Sequence, residues 1–247
     1  EEYAIVVWED ERNSSVSPDI YSIFIDIDGN PAPNYPINGS PLASVFDSQG
    51  DCMDIDDDFD EKYECNIDTD CYDFVELGIY NDLYCSANNY CVTCNNFSKT
   101  DPRVKADGNN AFVIWNDYRD DSSGDIYIQK INHENNVGWL NDSSVFEFDG
   151  ISVTSEDGEQ QNSRLTVDGN GGVYIVWENI GNAKDIKLKH INENSLSNYD
   201  PDGFDVCNFD GAQESPLVIG NGLGDAFVVW QDGRTGSKSI FTQIVNT

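Results

Sequence analysis

Positive charge is scarce in this chain: 13 Lys and Arg stand against 46 Asp and Glu over 247 residues, for a formal net charge of −33. So acidic a surface repels phosphate backbones and anionic lipid alike, which excludes nucleic acid as a partner. Long apolar runs are missing as well. The longest, such as Tyr3 to Trp8, reach about six residues against the roughly 20 needed to span a bilayer, so membrane insertion is not expected. No charged-then-apolar leader precedes Glu1 and Glu2, and the numbering is expected to start at a processed end. There is no Gly-rich phosphate loop and no Gly-x-Ser-x-Gly elbow, which removes nucleotide and acyl-transfer chemistry. The two histidines, His133 and His190, carry no zinc or haem spacing. No segment has the 3.6-residue period of an amphipathic helix.

What the chain does have is aromatic residues, 5 Trp, 12 Tyr and 12 Phe, enough for a packed core. It also repeats itself. An apolar strand ending in Trp, an acidic turn with Arg and a second strand recur four times, as YAIVVWEDERNSSVSPDIYSIFID from Tyr3, AFVIWNDYRDDSSGDIYIQKIN from Ala111, VYIVWENIGNAKDIKLKHIN from Val173 and AFVVWQDGRTGSKSIFTQIVN from Ala226. The anchors Trp8, Trp115, Trp177 and Trp230 are spaced by 107, 62 and 53 residues, and removing the 53 residues 46–98 from the first interval brings it to 54. A further short strand and a Gly turn precede three copies, at Pro102, Ser163 and Ser215, and a fourth strand follows three of them.

Four short strands per unit joined by Gly, Asn and Asp turns predict an all-β fold: a β-propeller of four recognisable blade repeats with a disulfide-rich insertion. A sandwich is the alternative, but it does not require the same Trp, Asp and Arg in every unit. The expected divisions are a first blade over 1–45, without its leading strand, and an acidic, Cys-rich insertion over 46–98. Second and third blades follow over 99–161 and 162–213, then a fourth over 214–247 without its trailing strand. The two incomplete ends are expected to close on each other as a composite blade, or to be completed by more chain or a neighbouring molecule. The repeat, with its Val-Val-Trp-x-Asp-x-Arg and Asp-Ile-Tyr elements, resembles those of secreted and cell-surface β-propeller proteins of bacteria and archaea. That resemblance implies a fold more than a function.

In three copies the Trp is followed by an Asp and an Arg: Asp10 and Arg12, Asp117 and Arg119, Asp232 and Arg234. An Arg fork there can hold a carboxylate while stacking on an aromatic ring, so these pairs are expected to fix the blades. The third copy departs from the pattern, with Asn179 and Gly181. A sialidase-type carboxylate site needs unique converging arginines. The five here repeat two positions, and the Ser-x-Asp-x-Gly-x-Thr-Trp box is absent. Arg103, Lys105 and Arg164 remain as candidates to line a channel anion site. Among 46 acids no carboxylate pair stands out for glycoside hydrolysis, and no catalytic residue is assigned.

The segment DCMDIDDDFDEKYECNIDTDCYD places Asp51, Asp54, Asp56, Asp58 and Asp60 as candidate ligands of Ca²⁺, the one cofactor expected, although it lacks the Gly and Glu of an EF-hand. Asp26 and Asp28, and Asp200 and Asp202, flank Gly turns as secondary candidates. Cys52, Cys65, Cys71, Cys85, Cys91 and Cys94 are disulfide candidates, and the last five, in ECNIDTDCYDF and YCSANNYCVTC, resemble the small Cys-rich modules inserted in secreted bacterial proteins. Their pairing is open, and Cys207 either joins one of them or stays a buried thiol. Asn13, Asn96 and Asn141 are candidate glycosylation sites.

These features lead to the expectation of a secreted or cell-surface, non-enzymatic structural or adhesive module, stabilised by calcium. It would be a segment or subunit of a larger surface assembly or filament, with other copies of itself or other surface proteins as partners. The alternative is a glycan-binding or glycoside-hydrolysing propeller that uses the channel mouth and aromatics such as Tyr21, Tyr127 and Trp139.

Overall fold

The computed structural model describes residues 2–12, 18–43, 83–85, 91–93, 98–119, 123–136, 150–154, 156, 158–181, 183–193 and 202–246. Every element among them is a strand. The apolar positions alternate with polar ones or form short β-branched runs bounded by Gly, Asn and Asp, which suits pleated strands and their turns.

Fourteen strands form four antiparallel sheets, each a meander in which sequence neighbours pair. The first sheet holds β1 (Ala4–Asp10), β2 (Asp19–Ile25) and β3 (Ser40–Ala43). A separate two-stranded ladder pairs β4 (Leu83–Cys85) with β5 (Cys91–Thr93). The second sheet is β6 (Lys99–Asp107), β7 (Asn110–Asp117), β8 (Asp125–Asn132) and β9 (Ile151–Ser152). The third is β10 (Glu159–Val167), β11 (Val173–Ile180), β12 (Lys184–Ile191) and β13 (Phe204–Cys207). The fourth is β14 (Gln213–Gly220), β15 (Ala226–Asp232) and β16 (Ser239–Val245).

Register follows the repeat. The four Trp residues lie opposite Tyr21, Tyr127, Lys187 and Phe241. Because side chains alternate, each sheet has two distinct faces. The face carrying the Trp turns toward the preceding sheet, and the residues one and three positions before the Trp turn toward the next. Ile5 and Val7 thus pack with Ala111, Val113 and Trp115. Phe112 and Ile114 pack with Val173, Ile175 and Trp177. Tyr174 and Val176 pack with Ala226, Val228 and Trp230. One kind of core recurs three times in a propeller-like all-β arrangement, with β1 against β6, β6 against β10 and β10 against β14.

The leading strands β6, β10 and β14 share a bulge, between Thr100 and Arg103, Gln161 and Arg164, and Glu214 and Leu217. In each bulge one non-glycine residue adopts a left-handed backbone, Asp101 (φ 57°), Asn162 (φ 54°) and Ser215 (φ 56°). Asp and Asn tolerate that conformation better than most residues, and the bulge bends the strand away from its partner. Carboxylates of the preceding sheet meet the exposed bulge N–H groups. Asp101 N–H donates to Glu9 Oε1 at 2.7 Å, and Ser215 N–H donates to Glu178 Oε1 at 2.6 Å. Glu178 is buried, also accepts from Asn162 Nδ2, and pairs with Lys184 at 3.3 Å.

Candidate functional site

In three of the four sheets the residues around the Trp close on themselves. Trp8, Trp115 and Trp230 each donate their indole N–H to the Asp two residues on, at 2.7, 2.9 and 3.0 Å. The same carboxylates pair with Arg12, Arg119 and Arg234. The Arg12 and Arg119 guanidinium groups lie over the rings of Tyr21 and Tyr127, 4.0 and 4.1 Å from their centroids. Arg234 lies between Phe209 and Phe241. Each Trp, Asp, Arg and aromatic ring forms a latch in which the indole N–H and the guanidinium both meet the one carboxylate. The Arg12 fork, aided by Trp8, pulls the Asp10 carboxyl down to about 2, against the opposing effect of desolvation. Asp232 is depressed for the same reason.

The indole edge is seated by a feature that the repeat reading did not pick out. Gly39, Gly150 and Gly203 all have left-handed backbones, and a Cβ on them would fall 2.2, 2.3 and 2.7 Å from the ring carbon Cη2 of Trp8, Trp115 and Trp177. These glycines stand at one repeat position, so alignment of the copies on their fourth strands would have found them.

The third sheet builds something else at the same place. Asn179 replaces the Asp, Gly181 replaces the Arg, and Lys187 takes the position of the aromatic ring. Among the described residues the Trp177 indole N–H, wholly buried, has no hydrogen-bond partner, and neither does Asn179 Oδ1. The Lys187 ammonium pairs instead with Glu156, from the connection between the second and third sheets, and lies 3.7 Å from Asp205 of β13. Glu156 Oε2 is buried and unpartnered. Asp185 stands opposite Asn179 in the β11–β12 register and shares its face. Burial first, and then the charge of Asp205, raise the Asp185 carboxyl above its usual range, with Lys187 partly offsetting them.

Two carboxylates on one ammonium, with Asp185 on the same strand face, stand beside an indole N–H and an amide oxygen that have no hydrogen-bond partner among the described residues, and this arrangement differs from the latch of the other three sheets. Asp185 is inclined to hold a proton, and Glu156 is ion-paired with Lys187. Lys187 and Asp205 were not singled out from sequence. The sequence signal was the departure at Asn179 and Gly181.

The other sequence candidates are dispersed. Arg103 is engaged by Asp101 at 2.5 Å, and Arg164 Nη1 donates to the Ser163 carbonyl at 2.7 Å. Lys105 is exposed on β6. Asp26 accepts N–H bonds from Asp28 and Asn30, which close its turn and hold its carboxyl below the usual range. Asp202 sits in the turn before β13. No group of three or more His, Cys, Asp or Glu able to hold a metal ion occurs among the described residues. Asp51, Asp54, Asp56, Asp58, Asp60 and Asp200 lie outside the described residues, as do Cys52, Cys65, Cys71, Cys94, Asn13, Asn96, Asn141 and Trp139. Cys85 and Cys91 stand opposite each other in the β4–β5 register. Cys207 is a free, buried thiol that accepts from Arg234 Nη2 at 2.9 Å, and burial raises its pKa.

A second polar joint, also unforeseen, ties the third sheet to the fourth. Asp168 accepts N–H bonds from Asn170 and Gly172 and lies 2.9 Å from His190 Nε2. Against the desolvation of burial, these bonds hold its carboxyl below the usual range. Tyr174 stacks on His190 at 4.2 Å and donates its hydroxyl to the Gly224 carbonyl. Every group in this joint has a partner, so it is a clasp between sheets.

No protein-family model matches the chain, and no curated protein sequence matches it. Among solved structures, the chain is similar to the α-L-arabinofuranosidase Arb93A of Fusarium graminearum in complex with an iminosugar inhibitor. That similarity has 10% identity and a TM-score of 0.40, covering 100% of this chain and 65% of that enzyme. A Penicillium chrysogenum α-L-arabinanase complexed with arabinobiose aligns at 12% identity and a TM-score of 0.36, over 96% of this chain and 73% of the other. These matches correct the expectation of a non-enzymatic structural or adhesive module: the solved structures that the chain resembles are glycoside hydrolases. The sequence reading set carboxylate chemistry aside because 46 acids offered no outstanding pair. Only folding gathers Glu156, Asp185 and Asp205 around Lys187.

Proposed function

We propose that the four sheets are blades of an extracellular β-propeller that cleaves glycosidic bonds, and that the cluster of Glu156, Asp185, Lys187 and Asp205 is its reacting site. The blade reading is supported by the meander order and by the face-to-face core that recurs between successive sheets. The observation that carries the functional reading is the replacement, in one sheet of four, of the Trp-Asp-Arg latch by a cluster of carboxylates on one lysine beside an indole N–H with no partner among the described residues.

Glycoside hydrolysis needs one carboxyl that gives a proton to the leaving oxygen and one carboxylate that serves as base or nucleophile. Asp185, raised by burial and by the neighbouring charge, fits the first role. Asp205, on the adjacent strand and more exposed, fits the second. Lys187 holds Glu156 in place through their ion pair.

The test is hydrolysis of a panel of aryl glycosides and plant polysaccharides, including arabinan, by the intact chain. Asp185→Asn and Asp205→Asn are each expected to lower turnover by roughly 100-fold or more with the circular dichroism spectrum unchanged. Asp26→Asn is expected to leave turnover as it was. A chain that cleaves nothing in the panel, or whose turnover survives both changes, refutes the proposal.

A further inference from the structure

We propose that the open face of the fourth sheet receives a second copy of this chain, through the Trp8-bearing face of that copy's first sheet, so that two chains close head to tail. This rests on surfaces remote from the carboxylate cluster and does not depend on its chemistry.

The argument starts from the repeat. Within the chain, the face that each sheet turns toward its successor is covered. Phe112 and Ile126 of the second sheet are 0% exposed, and Tyr174 and Ile186 of the third are 1% and 0% exposed. The equivalent residues of the fourth sheet are Phe227 and Ile240, and they are 39% and 71% exposed. Leu217, Ile219 and Ile244 share that face by register and are more than half exposed. The fourth sheet therefore carries the apolar residues of a covered face with none of the other described sheets laid upon them, and a contiguous apolar patch of this kind marks an interaction surface.

The surface that such a face accepts is known from three instances in the same chain: small and branched residues alternating up to a Trp, as in Ala111-Val113-Trp115, Val173-Ile175-Trp177 and Ala226-Val228-Trp230. One further copy of that surface, Ala4-Val6-Trp8, has no sheet of the described residues against it; Ala4 is exposed and Val6 is 43% exposed. The described residues thus carry one open face of each complementary kind. Joining the two between copies repeats an interface that the fold already forms three times. Two such joints close a ring of eight sheets, within the usual span of propellers, and leave neither face open. The net charge of −33 on each copy opposes this approach and is screened by salt, so association is expected to strengthen as ionic strength rises.

The test is the mass of the intact chain in solution by light scattering at micromolar concentration, in low and high salt. The expected result is twice the 27.5 kDa of one chain, more completely so in high salt. Ile240→Asp and Val6→Asp, on opposite ends, are each expected to give the single-chain mass with the circular dichroism spectrum unchanged. Mixing the two variants should restore the double mass, because one of the two joints then stays intact. An unaltered chain that remains single in high salt overturns the proposal. So does a pair that survives Val6→Asp, which would mean fourth sheet against fourth sheet, and so does an open-ended series of larger species. Because these masses are read on unreacted protein, their failure is separate from any failure of the glycoside assay.

Discussion

The second and third sheets share strand order, core and bulge, yet differ at one corner. In the second, Trp115, Asp117, Arg119 and Tyr127 satisfy one another, and the carboxylate is wholly buried beneath the guanidinium. In the third, the Trp stays and its partners change, leaving a buried N–H unanswered and drawing in Glu156, Lys187 and Asp205. A repeat fold supplies an internal control: where the same indole N–H is answered three times and left unanswered once, the exception costs stability that the fold had the means to keep. An unmet buried donor costs about 1–3 kcal/mol. Such a cost, retained at one copy only, is what a site that trades stability for chemistry looks like.

The sharpest way to break the comparison is to remove the latch carboxylate from each sheet in turn and follow urea unfolding. Asp117→Ala strips the buried Trp115 N–H and Arg119 of their acceptor and is expected to cost about 2–4 kcal/mol. Asp10→Ala is expected to cost less, about 1 kcal/mol, because the Arg12 side chain is 38% exposed and water replaces much of what is lost. Asn179→Ala, which removes a side chain that answers nothing, is expected to fall within about 0.5 kcal/mol of no change. Equal costs at all three positions would mean that the third corner is an ordinary latch.

The comparison can also be sharpened by rebuilding. Asn179→Asp with Gly181→Arg and Lys187→Tyr installs the missing latch in the third sheet. The combined variant is expected to gain about 1 kcal/mol, as the Trp177 N–H finds its acceptor, and to lose the proposed hydrolysis with Lys187. A loss of stability in this variant would show that the corner cannot accept the arrangement of its neighbours, and that its departure is one of shape rather than function.

Much of the fold was legible because the repeat wrote it four times. The Trp anchors, the alternation around them and the recurring Asp and Arg announced both the strands and their faces. Other features were hidden by how they act. Gly39, Gly150 and Gly203 matter through contact with an indole about thirty residues away, and contact of that kind has no local pattern. Asp101, Asn162 and Ser215 share a backbone conformation but not a side-chain type, so their equivalence shows only in the bulges. The carboxylate cluster was hidden by composition. In a chain this acidic, Glu156, Asp185 and Asp205 are indistinguishable from solvated acids until a connection and two strands bring them to one lysine. The departure at Asn179 and Gly181 was visible, but its meaning needed the neighbours.

The smallest expected effect separates the two corners by the sign of their pH dependence. Asp10 is held down to about 2, so its latch contributes stability above the ordinary carboxylate pKa of about 3.9 and loses it as pH falls from there through about 2. Asp185 is shifted the other way. Its folded form binds a proton more tightly than the unfolded chain does, so its contribution is greatest in acid and declines as pH rises from the ordinary value through its elevated one. Melting temperature against pH for Asp10→Asn, compared with the parent, should therefore differ least near pH 2 and most toward neutrality, with the variant always the less stable. Asp185→Asn should match the parent in acid and exceed it at neutral pH, because the amide keeps the neutral form that burial favours. A neutral-pH loss for Asp185→Asn would mean that the Lys187 charge, rather than desolvation and Asp205, governs that carboxyl. The acid role would then pass to another member of the cluster.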